Sequence, residues 1–216
     1  MSHGYSNPYY YQPQVQQPPA GYLRAAIQEI QTPRVGRKCA TNGPDRRPLD
    51  PPPVVQLKFF QTYGNTEFEV PNYDMINVDV SGFVCYAELF SYAEARNSNN
   101  PMSLGQENLL GTTIASPIKI HYGGKSMLVF AFPDVSSKLA GDFVLQYKFM
   151  NLNTPQPGFP VQTILGRCWG GFFKVHASRE APPLEAPTAL TRAVADAGVR
   201  VNMREQTRGK RRRSDE

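Results

Sequence analysis

The sequence predicts a mainly β protein, an Ig-like antiparallel β-sandwich with one short C-terminal helix. Three observations carry that expectation. Short apolar runs with two-residue alternation recur from Val54 onward. Turn signals separate them at Tyr63-Gly64-Asn65, Gly123-Gly124, Gly141-Asp142 and Pro157-Gly158. No long helical pattern lies between them, which suits a sandwich of two antiparallel sheets.

The elements follow in order. Residues 1–21 are rich in Tyr, Gln and Pro and poor in aliphatic side chains. Such a composition buries too little surface to offset chain entropy, so a disordered arm is expected, or a Tyr/Gln-rich interaction arm. The segment YLRAAIQEIQ, 22–31, fits a helix through Leu23, Ile27 and Ile30, and a strand through Leu23, Ala25 and Ile27; it is too short for period alone to decide. VVQLKFF and MINVDV read as strands. GFVCYAELF places Phe83, Cys85, Ala87 and Leu89 on one face. Residues 91–108 are polar and read as a mobile insertion. KSMLVFAF is nearly continuous in apolar residues, as expected of a strand covered on both faces. DFVLQYKFM turns Phe143, Leu145, Tyr147 and Phe149 inward and Gln146 and Lys148 outward. PVQTILGRC and GGFFKVHA complete the strand set. PTALTRAVADAG is a helix, with Thr188 as N-cap, Leu190, Ala193, Val194 and Ala197 as its apolar stripe and Gly198 as its stop. VRVNMRE after it alternates like one more strand.

Charge is unevenly distributed. The chain of 216 residues carries a formal +5. Residues 24–50 hold a net +3, residues 51–199 a net −2 and residues 200–216 a net +4. Two basic flanks around a near-neutral body suit an anionic partner. No apolar run approaches the roughly 20 residues that a membrane span needs, and the N-terminus lacks the pattern of a signal peptide. The three cysteines, Cys39, Cys85 and Cys168, form neither a disulfide framework nor a zinc spacing, so a reducing intracellular compartment is expected.

The sequence offers no catalytic constellation. His3, His121 and His176 lack a second His or Cys at metal-ligand spacing. GxSxG, HExxH, Walker A and GxGxxG patterns are all missing. Neither an enzyme nor a cofactor nor a small-molecule substrate is expected, which leaves binding. TPRVGRKCATNGPDRRPLD supplies Arg34, Arg37, Lys38, Arg46 and Arg47 without helical periodicity. Gly36 and Gly43 would let backbone approach a ligand closely. The segment reads either as a nucleic-acid-contacting loop or as an ordinary basic surface loop. Lys210, Arg211, Arg212 and Arg213 form a basic run near the C-terminus, either a nuclear-import signal or a nonspecific phosphate-binding tail.

Four blocks together resemble a known family. DRRPLDPPPVVQL, LLGTTIASP, LVFAFPDVSSKLAGDFVLQYKF and FFKVHASREAPPLEAPTALTRAVADAGVRVNMRE occur in the order of the velvet domain of fungal regulatory proteins. The resemblance spans residues 22–205, leaving 206–216 as a basic tail. It implies an Ig-like sandwich related to the Rel-type DNA-binding domain. It further implies a nuclear regulator, with a cytoplasmic pool, that controls sporulation, development and secondary metabolism. The implied partners are double-stranded DNA, another velvet protein in a homo- or heterodimer, and a nuclear import receptor. The family's DNA contacts, carried over, fall on Arg34, Arg37 and Lys38, with Arg46 and Arg47 in support. The chain departs from the pattern at Ser137-Lys138-Leu139, where an Arg-containing stretch is expected. The alternative is a bridging subunit of a velvet complex whose partner supplies the DNA contacts.

Overall fold

The computed structural model describes residues 22–39, 47–75, 78–153, 164–177 and 180–203. Along them run β1 (Tyr22–Gln31), β2 (Val35–Arg37), β3 (Val54–Tyr63), β4 (Thr66–Glu69), β5 (Phe83–Ser91), α1 (Tyr92–Asn97), β6 (Leu109–Leu110), β7 (Ile114–Ala115), β8 (Ile118–Tyr122), β9 (Lys125–Ala131), β10 (Ser136–Ser137), β11 (Gly141–Asn151), β12 (Ile164–Trp169), β13 (Phe173–His176) and α2 (Ala189–Asp196).

Two larger sheets and one short strand pair account for these strands. The first sheet has the order β1-β3-β9-β8, with β4 continuing the β9 edge of β3. The second has the order β2-β13-β11-β5-β7, with β12 sharing one edge of β11 with β13. The small pair is β10 with β6. All pairings are antiparallel except β2 with β13.

Alternation places the core between the two sheets. β5 buries Phe83, Cys85, Ala87 and Leu89, and β11 buries Phe143, Leu145, Tyr147 and Phe149, as their spacing predicts. Ile27, Val55, Leu57, Phe59, Leu128 and Phe130 of the first sheet join the same apolar cluster. Phe83 meets Phe149 edge to face at 5.0 Å. Each large side chain buried this way contributes about 1.5–3 kcal/mol.

β9 shows why its sequence is continuously apolar. Leu128 and Phe130 face the inter-sheet core, whereas Val129 and Ala131 form a second cluster with Val54, Ile120, Leu190 and Val194. α2 thus covers the outer face of the first sheet. Its start is capped as expected: the Thr188 side chain accepts the Thr191 N–H at 3.0 Å, and Gly198 follows the last turn at φ +91°.

Four segments differ from the sequence reading or resolve it. Residues 22–31 are a strand, because β3 offers a pairing partner along nearly the whole segment and Ile27 reaches the core. Val78–Val80 form no strand: the Asp79 side chain accepts the Ser81 N–H at 2.9 Å, and this local turn replaces a ladder. Ile76 and Asn77 lie outside the described residues. Residues 199–203 form no strand either, and Arg204 and Glu205 lie outside the described residues; Val199 and Val201 pack on the α2 cluster without a pairing partner among the described residues. The described residues also hold two short α-helices where one was expected, because α1 lies in the segment 91–108. That segment further holds a 3₁₀ turn at Gln106–Asn108 and returns to β5 through the Leu104 N–H, which donates to the Leu89 carbonyl at 2.9 Å.

Candidate nucleic-acid interface

The proline block anchors the basic segment residue by residue. Pro51, Pro52 and Pro53 are buried, and the Asp50–Pro51 peptide bond is cis. Backbone and side-chain hydrogen bonds hold the block on several sides. The Leu49 N–H donates to Val135 O at 2.8 Å, and the Phe132 N–H donates to Pro53 O at 3.0 Å. The buried Gln31 amide donates to Pro52 O at 2.8 Å and to Thr191 Oγ1 at 3.0 Å, tying the block to α2. Asp50 O accepts from Arg34 N and Val35 N at 2.8 and 3.0 Å, and Asp50 N returns a bond to Val35 O at 2.8 Å. The block therefore closes the outer side of β2, the edge strand of the second sheet.

Gly36 belongs to this packing. A Cβ there would stand 2.6 Å from Leu49 Cδ2 and 3.0 Å from Val175 Cγ2. Its small size serves the close approach of β2 to its neighbours, not the approach of a ligand. Gly43 lies outside the described residues. Past β2 the chain stays fastened: Lys38 N–H donates to His176 O at 2.9 Å and Cys39 N–H to Ser137 O at 3.0 Å.

Rigid backbone thus presents a cluster of cations. Arg34 is exposed and forms an ion pair with Glu185, itself exposed. Arg37 is half-buried at the end of β2, opposite His176 of β13. Lys38 is exposed. Arg47 is half-buried and shares with Arg37 the lining of a small cavity of about 60 Å³, closed by Ala181, Pro182 and Leu184. Four of the five predicted residues therefore meet on one edge. Arg46 and the run Lys210–Arg213 lie outside the described residues.

Two cations that sequence reasoning did not assign join them. Lys174 of β13 pairs in register with Val35 and is exposed, 3.7 Å from Asp142. Lys138 follows Ser137, whose carbonyl holds Cys39, and its N–H donates to Asn108 O at 3.0 Å. Alternation in GGFFKVHA marks Lys174 as outward-facing, but no local signal reveals the parallel pairing that brings it to β2.

The arrangement suits an extended polyanion. Guanidinium forks bind phosphate or guanine edges in bidentate fashion. The Arg34–Glu185 pair is solvent-exposed and so worth only about 0–1 kcal/mol, which leaves Arg34 able to exchange carboxylate for phosphate. Among the described residues no group of three or more His, Cys, Asp and Glu side chains could hold a metal ion, and no helix is long and apolar enough to cross a membrane.

The Velvet factor family model matches residues 25–105 and 93–208. A probable velvet family sexual development regulator of Schizophyllum commune is 33% identical over 222 residues, covering 89% of this chain and 78% of that protein. A protein of the same description from Laccaria bicolor is 28% identical over 260 residues, covering 89% of this chain and 73% of its own length. The developmental and secondary metabolism regulator veA of Aspergillus fumigatus is 28% identical over 215 residues, covering 85% of this chain and 36% of veA.

Proposed function

The chain belongs to the velvet family of developmental regulators, a non-enzymatic family, and we propose that it binds double-stranded DNA directly as a nuclear regulator. The carrying observation is the β2 edge, where Arg34, Arg37, Lys38 and Arg47 stand on backbone pinned to the proline block. A rigid scaffold with a basic edge lowers the ordering entropy lost on binding. Phosphate contacts from Lys38, Lys138 and Lys174 would set position, and the arginines would supply base or phosphate forks. The two sheets around one core support an Ig-like architecture of the Rel type, with recognition at one end of the sandwich.

The processes controlled are fungal development and secondary metabolism, in line with the names of the relatives, and with them sporulation. The working unit is a velvet homo- or heterodimer. Import relies on Lys210–Arg213, read by an import receptor. Replacing these four residues with alanine should leave the melting temperature unchanged and shift the protein towards the cytoplasm in imaged cells.

Selection of bound sequences from random duplex DNA, with the purified chain alone and then with a velvet partner, tests the reading. Enrichment of a motif by the chain alone is expected. Enrichment that appears only with the partner would make the chain a bridging subunit.

A further inference from the structure

The two sheets differ in what covers their outer faces. α2 lies on the first. On the second, outward side chains of β5, β11 and β12 floor a groove of about 390 Å³. Strand register aligns Glu88, Gln146 and Trp169 in one row and Tyr86, Lys148 and Arg167 in the next. The loop following α1 makes the opposite wall, from Ser98 to Ser103. That wall is held by its own bonds. Asn100 N–H donates to Ser98 Oγ at 3.1 Å, and Met102 N–H donates to Glu94 Oε1 at 3.0 Å. The groove is therefore preformed.

Its charge is unbalanced. Glu88 is largely buried and meets Lys148 Nζ as an ion pair; among the described residues its Oε2 has no hydrogen bond beyond that contact. Arg167 stands directly across from Lys148 in the β11–β12 ladder, exposed, its side chain without an ion-pair or hydrogen-bond partner among the described residues. Like charges opposite each other on neighbouring strands repel, and the single carboxylate neutralises only one of them. Beside Arg167 on the same face, the Trp169 ring is 43% exposed. It is steadied edge-on against Phe90 at 4.9 Å.

We propose that this groove docks an extended acidic peptide segment of a partner protein. An acidic side chain of the peptide pairs with Arg167, and an apolar neighbour covers Trp169. Charge complementarity sets the sign of the occupant. Gln146, Asn99 and Asn100 line the groove and carry amides able to pair with peptide backbone. The groove shares no residue with the β2 edge, so DNA and peptide can be held together.

Trp169 is the only tryptophan in the chain, so intrinsic emission reports on the groove directly. The full chain is titrated with an acetylated, tryptophan-free peptide of alternating Glu and Leu, with its Lys-for-Glu counterpart, and with inorganic phosphate. A saturable emission change with the acidic peptide alone is expected. Arg167→Glu should weaken that binding about tenfold or more, with Arg167→Gln in between. Both variants should melt at or slightly above the wild-type temperature, since the Arg167–Lys148 repulsion is relieved, and should keep the wild-type DNA affinity. An acidic peptide that elicits no change, a Lys peptide that matches it, or an Arg167→Glu protein that responds like wild type overturns the proposal. Phosphate reproducing the whole response also overturns it, since the site would then be a simple anion site.

Discussion

Glu185 occupies Arg34 in the unbound protein and, on the proposed reading, competes there with DNA phosphate. A phosphate that takes Arg34 must displace that carboxylate, which then remains near the DNA as a like charge. Glu185→Gln removes both effects. Because the exposed pair is worth no more than about 1 kcal/mol, duplex DNA should bind about two- to fivefold tighter at low salt. The gain should fade as salt rises, because screening weakens exposed charges. Fluorescence anisotropy at two salt concentrations checks this. Glu29 is the second telling residue. It sits largely buried at the seam of the two sheets and accepts hydrogen bonds from Thr32 Oγ1, from Tyr147 OH at 2.6 Å and from Gly171 N at 2.7 Å. Desolvation pushes its pKa above the ordinary value, against those three bonds. A carboxyl whose folded pKa is raised contributes stability that is full below its unfolded pKa and declines as pH rises through the folded value. Wild-type stability measured relative to Glu29→Gln should therefore fall from about pH 4 upward. At neutral pH the variant should still lose about 1–3 kcal/mol, because an amide whose oxygen keeps the Thr32 and Gly171 bonds turns its NH2 towards Tyr147, and the buried Tyr147 O–H then loses its acceptor. Urea unfolding of both proteins across pH measures the two effects.

Among the elements, β2 and α2 carry distinct duties. β2 is three residues long and owes its position to neighbours, with β13 on one side and the proline block on the other. Gly36→Ala forces a Cβ into Leu49 and Val175. Overpacking of this kind costs about 1–3 kcal/mol, and here it should also displace Arg34, Arg37 and Lys38. DNA affinity should fall even though no cation is removed, with Arg37→Ala as the comparison. α2 protects the outer face of the first sheet through Leu190 and Val194. Leu190→Ala should cost about 2–5 kcal/mol in denaturant unfolding and leave DNA affinity of the folded protein unchanged. The elements also show which signals local sequence carries. β5, β9, β11 and α2 were legible because period, flanking turns and caps all agreed. α1 was not, because six residues in a polar segment give too little period to detect. Val78 and Val80 alternate like a strand, yet the Asp79 turn took the backbone.

For the molecule as a whole, the sandwich was readable from alternation, whereas the site was readable only in part. Its charges and its prolines stand in the sequence. The parallel β2–β13 pairing that adds Lys174, and the return of Glu185 to Arg34, depend on residues far apart in the chain. The role of Gly36 as a packing glycine is likewise invisible without Leu49 and Val175 beside it. Tertiary placement also turns a mildly charged chain into one with a concentrated basic edge, and that edge is the basis of the proposed DNA binding. The most direct measurement is the salt dependence of duplex DNA binding by the wild type and by the triple variant Arg34→Ala, Arg37→Ala, Lys38→Ala. Each phosphate left without its cation should make the slope of log affinity against log salt shallower by about 0.9. The account predicts weaker binding with a slope shallower by about two to three units. A folded triple variant with the wild-type affinity and slope would contradict it.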